Sequence, residues 1–300
     1  MNILTFDLED WYQLIHRRVT GELPPARDTL IRQTDVLLEL LEQQQARATF
    51  FVLGVVAERF PELVRRIAGQ GHEIGSHGYA HLRVHELSRQ QFEDDTRRAR
   101  DLLEDLVGKT IRGYRAPEFS IHAGTLWALD ILAACGFTYD SSIFPIHHRR
   151  YGLPGFHPSP STYQLPSGLR IAELPVATLS IAGLRVAVAG GSYFRLWPLW
   201  MVRRAVQWHE AHRLPMTTYF HPYEFDAARL DLFETVPPDG WKRRITGSWV
   251  NCRYNLGRAG VRAKLAAVLQ QSRFTTCQEY LDAYGCGEDR GLLRPASAAV

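Results

Sequence analysis

The chain has 300 residues, 45% of them hydrophobic and 22% charged, a balance that excludes a disordered chain, a fibrous repeat and a small disulfide-stapled scaffold. Its 35 Lys and Arg nearly cancel its 32 Asp and Glu, so net charge gives no reason to expect nucleic acid or an anionic membrane as the main partner. The 12 His, 14 Phe, 12 Tyr and 7 Trp stand out more, because imidazole is the commonest transition-metal ligand and aromatic faces suit both cores and sugar rings.

Strand-like and helix-like segments alternate along the chain. Ile3–Leu8 is a short apolar run broken by acids. Leu30–Glu42 has apolar residues at helical spacing, with Asp28 or Thr29 as its cap. Ala48–Gly54 reads as a buried strand, Pro61–Ala68 as a helix with proline in its first turn, and His72–Ser76 as a strand. Ser88 and Gln91 form a capping box that opens a helix ending at Gly108. Ile111–Arg115 is a strand, Gly124–Ala134 a helix and Phe137–Asp140 a strand. Residues 143–170 read as irregular. After them come strand Ile171–Val176, helix Trp197–His212, strand Thr217–His221, helix Gly260–Gln271, strand Phe274–Cys277 and helix Glu279–Tyr284, with a mobile tail at 285–300. So regular an alternation predicts one parallel barrel over residues 1–284 rather than two small domains.

The beginning of the chain, MNILTFDLED, carries acids and no basic region, so no signal peptide is expected. No run of about 18 apolar residues escapes a charge, so no transmembrane helix is expected. Cys135, Cys252, Cys277 and Cys286 show no C-x-x-C spacing. They read as free thiols of a cytoplasmic protein without a structural zinc site.

In such a barrel the chemistry lies where the strands end. Five strand ends present polar groups. The first holds Asp7, Glu9 and Asp10; strand alternation puts Asp7 and Glu9 on one face, and Asp10 joins them only if the strand stops there. The second is Gly75-Ser76-His77-Gly78-Tyr79-Ala80-His81, whose two imidazoles can share a divalent ion if the segment turns into a helix. The third, Gly113-Tyr114-Arg115-Ala116-Pro117-Glu118-Phe119, offers an arginine that can pair with a carboxylate. The fourth is Tyr139-Asp140-Ser141-Ser142 and the fifth Tyr219-Phe220-His221-Pro222-Tyr223-Glu224. Each also has a plain structural explanation: an acidic helix start, a chance histidine pair, a surface arginine, a turn, a core histidine. Their conjunction in one barrel argues for a site.

This set resembles the polysaccharide deacetylase family, the carbohydrate esterases built on the NodB homology domain. TFDLED, SHGYAH, RAPEF and FHP appear in the family's order between Met1 and about His221. YDSSIFP, GGSYFR and HPYEFD resemble more closely a subgroup with a D-x-E-D first motif, associated with exopolysaccharide or O-antigen loci. The resemblance implies a distorted (β/α) barrel with about seven parallel strands. It implies Asp7 as catalytic base, Arg115 as the residue orienting it and His221 as general acid. His77 and His81 are implied metal ligands together with a first-motif carboxylate, Glu9 by period-two geometry or Asp10 as the alternative. Asp140 or Glu173 is expected to orient His221. Tyr79, Pro117, Asp140 and Ser142 are expected against the substrate, with a backbone N–H near Tyr79 or Ser142 stabilising the oxyanion.

The expected reaction is hydrolysis of the N-acetyl group of an amino sugar in a polysaccharide, lipid-linked glycan or precursor. The expected cofactor is a divalent ion, Zn²⁺ first, with Ni²⁺, Co²⁺ or Fe²⁺ as alternatives. Residues 143–170 and the Gly190–Arg195 segment are expected to shape the cleft, with His147, His148, Arg149 and Arg150 meeting an anionic sugar or forming a solvated loop. Two rivals are a cyclic-amide hydrolase of the allantoinase kind on the same fold, and a carbohydrate-binding protein without catalysis.

Overall fold

The computed structural model describes residues 1–148, 151–181, 184–237 and 239–293; Arg149 and Arg150 of the basic loop lie outside them. The chain opens on two short buried strands, β1 (Asn2–Ile3) and β2 (Thr5–Leu8). Then come α1 (Trp11–Thr20), α2 (Thr29–Gln43), β3 (Thr49–Val52), α3 (Gly54–Arg59), α4 (Pro61–Gly69), β4 (Glu73–Ser76), α5 (Arg89–Val107), β5 (Gly113–Tyr114), α6 (Trp127–Ala134) and β6 (Tyr139–Asp140). The expected capping box holds α5: Ser88 Oγ accepts from Gln91 N, and Gln91 accepts from Ser88 N.

The later half is less regular. It contains β7 (Ser161–Gln164), β8 (Arg170–Glu173), the hairpin β9 (Thr178–Ile181) and β10 (Leu184–Ala187), α7 (Gly191–Leu196), α8 (Leu199–Ala211), α9 (Gly240–Asn255), α10 (Val261–Leu269), β11 (Phe274–Thr275), α11 (Cys277–Tyr284) and β12 (Glu288–Leu292). Two expectations are corrected. Residues 143–170 are not wholly irregular, because β7 pairs antiparallel with β8 across a tight turn. Nor is 285–293 simply a tail, since Glu288–Leu292 forms a parallel edge strand on β7; the rest of the expected tail, 294–300, lies outside the described residues.

The main sheet runs β12-β7-β8-β6-β5-β4-β3-β2, and every pairing from β2 through to β8 by way of β6 is parallel. Residues 217–220 flank the free side of β2: Asp7 N donates to Phe220 O at 2.8 Å and Phe220 N to Thr5 O at 3.1 Å. Ala177 N donates to Thr217 O at 3.0 Å, which ties this segment to the chain leaving β8. The result is the expected distorted α/β barrel of about seven parallel strands.

Register explains why distant residues meet. Leu8, Val52, Ser76, Tyr114, Asp140 and Glu173 form one row across the paired strands. The next residue in each strand, including Glu9, His77, Arg115 and Ser141, therefore leaves the barrel at one level. Below them, Phe51 and Tyr139 fill the interior with Cys277 and Tyr280 of α11, and Leu174, level with Ser141, joins the same cluster. That helix closes the floor through Cys277 N to Thr49 Oγ1 (2.8 Å) and Gln278 N to Glu73 Oε2 (3.0 Å). Outside the strands, Phe6 stacks on Phe50 with centroids 5.1 Å apart, each buried ring contributing roughly 1.5–3 kcal/mol.

Candidate active site

A cavity of about 360 Å³ opens at the carboxyl ends of the strands, lined by Asp7, Glu9, His77, His81 and His221 among others. Behind Asp7 lies Arg115, which has no exposed surface. The guanidinium lies 4.2 Å over the Phe51 ring. Its Nη1 donates to Asp7 Oδ1 (2.9 Å) and Thr5 Oγ1 (2.6 Å), Nε to Ser141 O (3.0 Å) and Nη2 to Ser141 Oγ (2.8 Å). A buried carboxylate needs such a partner to stay charged, and this one holds Asp7 in a fixed orientation.

Glu9 sits at the centre of three imidazoles. Its Oε2 lies 3.0 Å from His81 Nε2 and 3.6 Å from His77 Nε2, and its Oε1 lies 3.0 Å from His221 Nε2. Burial opposes charge on Glu9, but His81, His221 and His77 outweigh it and hold the carboxyl well below its ordinary range. The expected helix after His77 is not found. The segment is a loop in which Gly78 takes φ +74° and His81 φ +55°, left-handed values that are easy for glycine and strained for histidine. A Cβ on Gly78 would stand 3.0 Å from Asp95 Oδ2, the atom that accepts from Tyr79 N at 2.8 Å.

Whether Glu9, His77 and His81 suit a cation can be judged from their donors. His77 Nδ1 lies 2.8 Å from Arg115 O; a carbonyl only accepts, so Nδ1 donates there and Nε2 is the ring nitrogen turned to Glu9, free to act as a ligand. Glu9 Oε2 is buried and makes no hydrogen bond. Two acceptors facing each other are what a cation between them would satisfy, and one carboxylate with two imidazoles fits Zn²⁺ and its first-row neighbours. The three residues offer ligand atoms within 4.8 Å of one another. Asp10 does not join them. It caps α1, with Oδ1 accepting from Tyr12 N (3.0 Å) and Oδ2 from Arg27 N (2.7 Å), so its carboxylate is already engaged.

His221 lines the same cavity as Asp7. Its ring stacks on Tyr223, and its Nδ1 is 3.6 Å from Glu224 Oε1. Arg195 Nε approaches the same oxygen at 3.8 Å. Burial opposes charge on His221, yet Glu224 and Glu9 outweigh it and hold the imidazole well above the usual histidine range. Glu224 was missed from sequence, although it follows His221 by three residues in a single helical turn, Pro222–Glu224.

Asp140 and Glu173, expected to orient His221, lie elsewhere. Strand alternation turns them to the face opposite Tyr139 and Ser141, and they bond to each other instead. Burial and Asp140 push the Glu173 carboxyl well above its ordinary range, and burial raises Asp140 as well. Two facing carboxyls have no donor between them unless one is protonated, so the pair shares a proton. Asp140 also accepts from Ser142 N (3.0 Å) and Ser142 Oγ (2.6 Å), and Ser142 Oγ from Ala116 N (2.7 Å).

The four expected substrate contacts are therefore corrected. Asp140 and Ser142 are wholly buried in this network. Tyr79 points its hydroxyl to Glu58 at 2.5 Å and lies beneath Arg98, 3.6 Å from guanidinium carbon to ring centroid. Pro117 is buried at the start of a short turn, and its neighbours Glu118 and Phe119 reach the cavity instead. The N–H groups of Tyr79 and Ser142 are both engaged, so neither is available to an oxyanion. Of the expected cleft segments, His148, Gly191, Ser192, Tyr193 and Arg195 do line the cavity.

Residues 28–139 match the family model described as polysaccharide deacetylase, and residues 141–282 match a domain of unknown function (DUF3473). A peptidoglycan-N-acetylglucosamine deacetylase of Bacillus cereus is 35% identical over 98 residues, which cover 32% of this chain and 36% of that protein. The chain spans less than half the length of the curated relatives it matches. A crystal structure from Mycobacterium smegmatis, provisionally named a polysaccharide deacetylase, superposes with TM-score 0.57 at 20% identity, covering 94% of this chain and 88% of that one. The Puue allantoinase structure superposes with TM-score 0.58 at 14% identity, covering 94% and 90%. Both structural likenesses speak to fold alone.

Proposed function

We propose, from the premise that residues 28–139 belong to the polysaccharide deacetylase family, that this chain hydrolyses the N-acetyl group of an amino sugar within a glycan. The observation that carries the reading is one cavity lined by Glu9, His77 and His81, whose donor atoms could hold a cation, together with Asp7 paired to Arg115 and His221 beside Glu9.

Glu9, His77 and His81 would hold the divalent ion, Zn²⁺ being our choice. Such an ion supplies Lewis acidity, lowering the pKa of a bound water and polarising a carbonyl. Asp7, oriented by Arg115, removes the proton of the attacking water. Glu224 and Glu9 favour the charged form of His221 over burial, which opposes it. His221 therefore delivers a proton to the amine nitrogen as the C–N bond breaks, since an unprotonated amine is a poor leaving group. Tyr193, Tyr219, Tyr223 and Tyr254 line the walls, and such rings stack well on sugar faces. Leu196 and Leu256 at the cavity edge are 58% and 56% exposed. An open edge suits a chain longer than the cavity better than a small cyclic amide.

The test is acetate release by the Zn²⁺-loaded protein from N-acetylated nucleotide sugars, lipid-linked glycans and polymers, exopolysaccharide and O-antigen preparations first. Release from at least one, lost in His221→Gln, is expected. No release from any of them, with hydrolysis of a ureide instead, would overturn the reading in favour of the cyclic-amide rival.

A further inference from the structure

We infer that α9, with the apolar side chains next to it, docks the protein on an anionic lipid bilayer. Trp241, Ile245 and Trp249 follow one another at every fourth position of α9, and they are 68%, 63% and 59% exposed. That spacing puts them on one side of the helix. Another side of the helix packs on the rest of the protein through Gly247, Val250, Asn251 and Tyr254. Gly247 and Asn251 are buried, and a Cβ on Gly247 would stand 2.4 Å from the Phe233 ring. Three large apolar side chains in a row on the outer side of a helix mark a surface meant to be covered.

Charge decides what covers it. Between Gly240 and Asn255 the sequence has Lys242, Arg243, Arg244 and Arg253 and no Asp or Glu. Tryptophan and isoleucine between cations on a surface helix are the composition of a helix lying in a membrane interface. The near-neutral charge of the whole chain conceals this local excess. A second copy is a poor occupant, because a two-fold contact sets the same cationic helix against itself.

The apolar face continues to the cavity. Leu256, just past α9, and Leu196, at the end of α7, both line its edge. A Cβ on Gly257 would meet Arg195 O at 2.9 Å, so the two chain segments lie against each other. Docking would thus present the cavity edge to the bilayer. On the deacetylase reading, that position suits a glycan anchored in the same membrane.

Flotation of the whole chain with vesicles tests the surface without any sugar. Vesicles of phosphatidylcholine with one-third phosphatidylglycerol (roughly the anionic fraction needed to attract a basic helix) should carry the protein. Pure phosphatidylcholine should carry much less, and added salt should release it. Trp241→Ala with Ile245→Ala and Trp249→Ala, or Arg243→Glu with Arg244→Glu, should weaken binding about tenfold or more, with circular dichroism unchanged. Failure of the unaltered protein to bind, or equal binding by both folded variants, would overturn the proposal. So would a dimer, seen by light scattering, that the apolar triple variant abolishes. Acetate release is read separately, so vesicle binding and the proposed hydrolysis stand or fall independently.

Discussion

Arg115 stands behind the cavity-lining Asp7 and His221 lines the cavity itself, and their surroundings differ. Arg115 places three of its nitrogens in four hydrogen bonds of 2.6–3.0 Å, to Thr5 and Asp7 of β2 across the barrel and to Ser141 just after the neighbouring β6. Glu224 and Arg195 are buried and His221 is partly so; His221 Nε2 reaches Glu9 Oε1 at 3.0 Å, but Glu224 Oε1 stands 3.6 Å from His221 Nδ1 and 3.8 Å from Arg195 Nε, beyond hydrogen-bonding distance. The proposed base is held rigidly by Arg115, which strand register puts beside it. The proposed acid comes from the less regular later half, and its contact with Glu224 is the looser one.

The contrast can be broken at its rigid side with the largest effect. Arg115→Met leaves the Asp7 carboxylate buried and unpaired, and it should cost about 3–5 kcal/mol in chemical unfolding. A loss under 1 kcal/mol would show that water readily reaches Asp7 and that the base is not locked. On the acid side, His221→Gln should lower kcat by roughly 10²–10⁴-fold while leaving Zn²⁺ affinity nearly unchanged. Loss of the metal in that variant would make His221 a ligand instead. Glu224→Gln should be milder, about 10–100-fold in kcat with KM little changed. An unaltered kcat would remove Glu224 from the account.

The smallest effect concerns the Asp140–Glu173 pair behind Arg115. Glu173 has its pKa raised by burial and by Asp140. A raised carboxyl pKa stabilises the fold fully below the unfolded-state pKa, and that contribution is lost as pH rises through the folded-state value. Glu173→Gln keeps a neutral donor at every pH. Melting curves of the variant and the unaltered protein should coincide in acid and separate as pH rises, with the variant the more stable. Parallel curves across the range would rule out the shared proton.

The base side was legible because strand alternation and strand ends leave a local mark. Asp7, His77, Arg115 and His221 all sit where a buried apolar run stops, and period two favoured Glu9 over Asp10. What escaped lacks that mark or carries another. Asp10 stands directly before Trp11-Tyr12-Gln13-Leu14-Ile15, the pattern of an N-cap ahead of an apolar helix, and reading it would have assigned its carboxylate to α1. Glu224 could have been found by its three-residue spacing from His221 once a helical turn was expected after Pro222. The Asp140–Glu173 pair arises from register between strands 30 residues apart in sequence, which no local pattern reveals. Helix α9 was hidden by Gly247, Thr246, Ser248 and Asn251, residues of modest helix propensity.

Glu9 carries the central claim, and calorimetric titration of Zn²⁺ into metal-stripped protein addresses it most directly. The unaltered chain and Asp10→Ala should each bind one ion with similar affinity, Asp10→Ala losing only about 1 kcal/mol of fold stability as its helix cap goes. Glu9→Ala should lose about 100-fold or more in affinity. Full affinity in Glu9→Ala, with binding abolished in Asp10→Ala, would contradict the account.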